Sequence, residues 1–302
     1  MSAAELIHDR DGRLRAPIRI AAFIIAGVLA FAAVQGLLYP LLALGAGLTG
    51  TRPSFGPTMF VVALLVTHLA MFKWIERGRS WSYVWMGETA TRPRPLVRGA
   101  IIGALAIAIP SALLVATGML RVEATSGGTP QWFETAWRSA AILLPAAAAE
   151  ELMIRGYPFA VLREAVGSRM ALIGTSVVFG LLHAWNPGAT AMSIALVMLA
   201  GLFLGGVVLA TQSLYAATLA HFAWNWAMAG FLHTPVSGLN EFAPAGYRIT
   251  DSGPDWITGG PWGPEGGVGA ALGMGAGLWY LFARPSTGKL WQRLARREER
   301  QA

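Results

Sequence analysis

Residues 140–155 read AAILLPAAAAEELMIR. Ten apolar positions, Ala140 to Ala149, run into two adjacent carboxylates, Glu150 and Glu151, and Arg155 stands four residues after the second. In a water-soluble helix this pattern would mean little. In a membrane span an ionised side chain costs at least ~2.5–3.5 kcal/mol, so such groups tend to be paired and functional. What these three residues mean depends on where the segment lies.

Composition puts it in a membrane. Of the 302 residues, 55% are hydrophobic and only 13% charged, where a soluble domain carries about 25% charged. Mean hydropathy is +0.51, and several apolar runs reach the roughly 18 residues that mark a spanning helix. A soluble α/β enzyme with buried helices fits poorly, because too little charge remains to cover its surface. There is no cysteine, which removes disulfides, thiolate metal sites and a cysteine nucleophile. The formal charge of +7 calls for no nucleic acid, since basic residues cluster in alternate loops and at both ends.

The apolar runs predict an all-α polytopic membrane bundle of about eight helices. They lie at about 17–39, 55–74, 99–119, 139–157, 170–186, 189–211, 214–232 and 265–283. The first is too long for the core of a signal peptide and lacks a cleavage site, so it is expected to stay as an anchor. Gly156 and Pro158 are expected to end the fourth span, and Phe159 to Gly167 is amphipathic and suited to the interface. Residues 233–262 form a loop rich in Gly, Pro and Asp. No internal repeat is visible, so 1–302 reads as a single membrane domain. Eight spans put both termini on one side. Arg10, Arg13 and Arg15 before the first span and Arg284 to Arg300 after the last make that side cytoplasmic, with a bacterial inner membrane as the setting.

Few ionisable groups fall inside these spans. Asp occurs only at 9, 11, 251 and 255, all outside, and of twelve glutamates only Glu150 and Glu151 lie deep in an apolar run. His68, His183 and His221 are within spans, and Asn225 follows His221 by four. Glu151 and Arg155 share a helix face and can pair. Glu150 points about 100° away, is not neutralised by that pair, and has the environment of a general base if it faces the interior. By depth counting Glu150 meets His221, whereas His183 comes out nearer the other end of its span. His68 reads most simply as a helix–helix hydrogen bond, and Gly201 and Gly205 as a close helix contact. For Glu151 and Arg155 a structural ion pair is the simplest role. Three ionisable groups in three spans, Glu150, His183 and His221, point instead to a site.

Several chemistries can be set aside. No HExxH is present, since His183 is followed by Ala-Trp-Asn-Pro and His221 by Phe-Ala-Trp-Asn. There is no G-x-S-x-G, and no Asp lies in a span. What remains is a Glu/His/His/Asn set, which can bind a divalent metal or activate water without one.

These residues carry a family resemblance. Glu150 to Arg155, EELMIR, resembles the EExxxR motif of the CPBP family of CAAX prenyl and bacteriocin-processing membrane proteases. Phe179 to His183, FGLLH, resembles its FxxxH motif, and His221 to Asn225, HFAWN, its HxxxN motif. The similarity spans about residues 136–232, the expected catalytic core. It implies a glutamate-dependent intramembrane endopeptidase. Glu150 would activate water with help from His183, His221 and Asn225 would stabilise the oxyanion, and Glu151 and Arg155 would hold their span in register. The family is described both as metal-dependent and as metal-free. Glu150, His183 and His221 are the candidate ligands of a zinc-like ion, which makes metalloprotease one form of the expectation and a cofactor-free enzyme the other. The implied partners are membrane lipid and a prenylated or membrane-anchored peptide. Two other readings stand beside it: a non-catalytic immunity or scaffold protein of the same fold, and a proton-coupled transporter, which would favour paired repeats with matching helix breaks.

Overall fold

The computed structural model describes residues 7–9, 12–49, 55–240, 242 and 244–283. Arg10, Arg52 and the basic tail from Arg284 lie outside them. In hydrocarbon every backbone N–H and C=O must find its partner within the segment, so the apolar runs fold as helices. These are α1 (Ala16–Thr49), α2 (Gly56–Trp74), α3 (Pro93–Ala116), α4 (Thr129–Glu151), α5 (Tyr157–Leu182), α6 (Ala191–Thr211), α7 (Leu214–Trp226) and α8 (Val268–Phe282). Large aliphatic side chains face outward, with Leu37 72% and Leu272 70% exposed. Lipid tails are as apolar as leucine, so such a surface is stable in a bilayer and not in water.

Five apolar stretches among the described residues are long enough to cross a membrane: Ala16–Gly45, Gly56–Trp74, Pro93–Ala116, Thr129–Leu182 and Ala191–Thr211. The fourth stretch, of 54 residues, covers both the fourth and the fifth expected spans. The α7 helix runs on without a break into a six-residue π turn, Ala227–Leu232, so the helical stretch fills the expected 214–232, whereas α8, with 15 residues, is shorter than a typical span.

The fourth expected span does not end at Gly156 and Pro158. A five-residue π turn, Leu152–Gly156, leads into α5 with a bend at Gly156, whose ψ of −122° departs from helical values. Pro158 sits in the first turn of α5, where the missing N–H would have no helical partner anyway. A second break comes at Gly167, whose φ of +79° is open to glycine and strained for other residues. Phe159, Ala160 and Val161, expected in an interfacial segment, are fully buried.

The interior is closed by small residues. α3 packs on α7 at Gly99 and Gly103, where an added Cβ would collide with the backbones of Ala216 and Ala220. On α6, Gly201 and Gly205 face Ser176 and Leu172 of α5, the close contact expected of that pair. His68 makes a helix–helix bond, as its Nε2 accepts from the backbone N–H of Tyr157 at 3.2 Å while its Nδ1 lies 2.7 Å from the Leu64 carbonyl.

One buried charge cluster has no counterpart in the sequence reading. Arg19 and Glu76, each 4% exposed, form an ion pair, and Tyr157 donates to Glu76 at 2.7 Å. Glu164 joins it, accepting from Arg13 at 2.7 Å and from Arg19 at 2.9 Å, and pairing with Arg79. The cluster ties the chain before α1, the end of α2 and the first half of α5 to one face of the bundle. On the opposite face a two-stranded antiparallel sheet joins β1 (Leu120–Ala124) to β2 (Tyr247–Asp251) in the register Val122↔Ile249. It links the connection after α3 to the long loop after α7.

Candidate active site

The first motif sits where α4 gives way to its π turn, a feature often found at functional sites. Glu151 is fully buried, and its Oε1 accepts from Arg155 Nη1 at 2.9 Å. Arg155, 1% exposed, also donates from Nη2 to the Gly201 carbonyl at 3.3 Å, and its guanidinium lies 4.1 Å from the Phe179 ring centroid. The pair is thus enclosed by α6 and by the aromatic residue that opens the second motif.

The same Glu151 oxygen does more than neutralise Arg155. It lies 3.0 Å from His221 Nδ1 on α7. A carboxylate only accepts, so Nδ1 donates, and the ring is held with Nε2 turned away from Glu151. His183 is held likewise, with Nδ1 donating to the Phe179 carbonyl at 2.8 Å. Its Nε2 is the acceptor of the neutral ring. Both Nε2 atoms converge on Glu150 Oε2, at 3.9 Å from His183 and 3.8 Å from His221. That oxygen is buried and has no hydrogen-bond partner. The spacing is too wide for direct hydrogen bonds and is suited to a bridging oxygen. Depth counting left His183 open, and the structure brings it to Glu150 as closely as His221. The packing of α5 decides this, with the Phe179 ring set between His183 and His221, not the residue count.

Asn225, one turn after His221, lines a cavity of about 30 Å³ together with His183, His221 and Phe179. That is room for a water molecule. Two further lining residues, Ser237 and Glu265, come from the loop after α7 and were not singled out from the sequence. Glu265 accepts from Trp224 Nε1 at 2.8 Å and from the Ser237 backbone N–H at 2.6 Å. The Ser237 carbonyl in turn accepts from Asn186 at the end of α5, at 3.0 Å. The loop is therefore fastened to both histidine-bearing helices. Trp262 from the same loop is 2% exposed and packs with Ile154, Phe179 and Val197. Nothing local marks Glu265 in the sequence, where it stands in a Gly/Pro-rich stretch at the start of the last apolar run.

Among the described residues no group of three or more His, Asp or Glu side chains meets the geometry of a metal site. Glu150, His183 and His221 approach one another without reaching it, so the metalloprotease form of the expectation gains no support from the arrangement.

No curated protein and no solved structure matches the chain. Residues 131–227 match the family model described as type II CAAX prenyl endopeptidase Rce1-like. All three motifs and every residue of the Glu150 cluster lie within that segment. The chain accordingly carries an Rce1-like domain of the CAAX protease family at residues 131–227.

Proposed function

We propose that this integral membrane protein is a glutamate-dependent endopeptidase that cleaves prenylated or membrane-anchored peptides with Glu150 as its base. One observation carries the reading: a buried, unpartnered Glu150 oxygen faces two imidazoles whose other nitrogens are already bound. Glu150 takes a proton from a water held between its Oε2 and the two Nε2 atoms, and the water oxygen attacks the scissile carbonyl carbon. His183 Nε2 accepts the other water proton as a hydrogen bond and orients the attack. The carbonyl electrons move to oxygen, where Asn225 and a doubly protonated His221 donate to the oxyanion. Glu150 then passes its proton to the leaving amine as the C–N bond breaks, which regenerates the carboxylate. Glu151 positions His221, and Arg155 offsets its charge. Convergence of the three groups supports an enzyme over a scaffold, and the lack of repeats disfavours a transporter. The basic tails and the cluster around Glu164 support a cytoplasmic location for the N-terminal face.

The test is cleavage by the purified protein in liposomes. A farnesylated CAAX peptide, its unprenylated twin and a short membrane-anchored peptide are each offered to wild type and to Glu150→Gln, with and without a zinc chelator. Cleavage that disappears in Glu150→Gln and survives chelation is expected. Cleavage that survives in Glu150→Gln overturns the assignment of the base, and loss on chelation returns the three residues to a metal.

A further inference from the structure

Away from this site, α3 and α8 border a groove of about 1250 Å³. Its walls are apolar, with Ile101, Leu105, Ile109 and Leu113 on one ridge of α3 and Leu272 and Ala276 on α8. No acidic side chain among the described residues lines it. At one end stand Arg94 and Arg98, on the face where the charge cluster lies, and at the other Trp256 and Ile257.

Arg98 is the informative residue. Its guanidinium lies 5.2 Å from the Tyr280 ring centroid, which fixes it at the groove mouth. Its Nε is buried without a hydrogen-bond partner. The two buried arginines of the bundle, Arg19 and Arg155, each have a carboxylate, whereas neither the half-buried Arg98 nor the exposed Arg94 has an ion pair among the described residues. Two cations thus flank the end of an apolar channel with no anion beside them among the described residues. From Arg98 to Leu113 the channel runs about 22 Å at 1.5 Å per residue. One leaflet of hydrocarbon is about 15 Å deep, so the channel takes a full acyl chain below a headgroup. A neutral lipid would satisfy the walls and leave the arginines without a counter-charge. Basic pockets between spanning helices suit anionic headgroups for this reason.

We propose that this groove binds one anionic glycerophospholipid, with its phosphate on Arg94 and Arg98 and one acyl chain between α3 and α8. The site is separate from the Glu150 cluster and does not depend on the peptidase reading.

Native mass spectrometry of the detergent-purified chain tests it, with phosphatidylglycerol and phosphatidylcholine of identical acyl chains as probes. Wild type should retain one phosphatidylglycerol per chain with a preference of about 25-fold, the product of roughly 5-fold from each arginine. The preference should collapse in molar salt, where the screening length falls to about 3 Å. Arg94→Gln/Arg98→Gln should bind both lipids alike, and Ala276→Phe, which fills the channel, should retain neither. Both variants are compared only if they melt with wild type, and the wild-type arms decide the matter without them. Equal retention of the two lipids by wild type, or an undiminished preference in the double arginine variant, overturns the proposal.

Discussion

Glu151→Gln removes one charge from the most enclosed ion pair of the bundle. Arg155 would keep the 3.3 Å bond to the Gly201 carbonyl, its place over Phe179 and at best a neutral amide oxygen at position 151, with no anion in contact. Breaking a buried pair by removing one partner costs about 3–5 kcal/mol, because the remaining charge stays desolvated. At about 2–4 °C per kcal/mol for a mid-sized domain, that is a fall in melting temperature of ~6–20 °C. The same substitution takes the carboxylate from His221 Nδ1. Replacing a histidine-orienting carboxylate by its amide lowers turnover by roughly 100-fold or more in other hydrolases. The two effects separate in Glu151→Gln/Arg155→Met, where a buried ion pair gives way to uncharged groups of similar size. Such replacements are often neutral, so melting should return to near the wild-type value while cleavage stays low. The assay is a thermal melt of each purified variant beside peptide cleavage in liposomes. Glu151→Gln melting with wild type would refute the structural pair. Cleavage recovered in the double variant would refute the orienting role of Glu151. Glu150→Gln is the control: its Oε2 has no partner to lose, so cleavage should vanish with melting unchanged.

Two other perturbations probe how the site is held. Gly103→Leu drives a side chain into the Ala220 backbone one residue before His221, an overpacking of about 1–3 kcal/mol that should lower both melting temperature and kcat, and unchanged turnover would argue that α3 does not support α7. Glu265→Gln sets an amide against the Trp224 N–H or the Ser237 N–H, leaving a buried donor unsatisfied at about 1–3 kcal/mol. In a Trp224→Phe background the same change should cost measurably less, and a full additive loss of cleavage would show that Glu265 acts on something other than this fastening.

The outline of the site was readable in the chain because membrane burial makes charge conspicuous. With 13% charged residues, any glutamate inside an apolar run stands out, and the i,i+4 geometry of a helix separates the Arg155-paired Glu151 from the unpaired Glu150. The same logic failed for Arg19 and Glu76. Glu76 follows Trp74 in a basic connection and reads as solvated, and only the contact with α1 buries it. The sequence also missed the break at Gly167 and read the bend at Gly156 as a full stop. Gly156 and Pro158 look like a stop, but a π turn absorbs them because the backbone of Tyr157 finds His68 and the absent Gly156 side chain leaves room for that ring.

Sequence alone determined the helical membrane class, the Glu151–Arg155 pairing and the candidate set Glu150, His183, His221 and Asn225, since each rests on local spacing and on the cost of charge in hydrocarbon. Tertiary structure decided that His183 reaches Glu150, that Glu151 holds His221 as well as Arg155, and that Glu265 fastens a loop over both histidines. Those contacts join residues 33 to 71 positions apart in the chain. The close approach of glycine-lined faces sets such distances, and it is not encoded in the periodicity of a single helix.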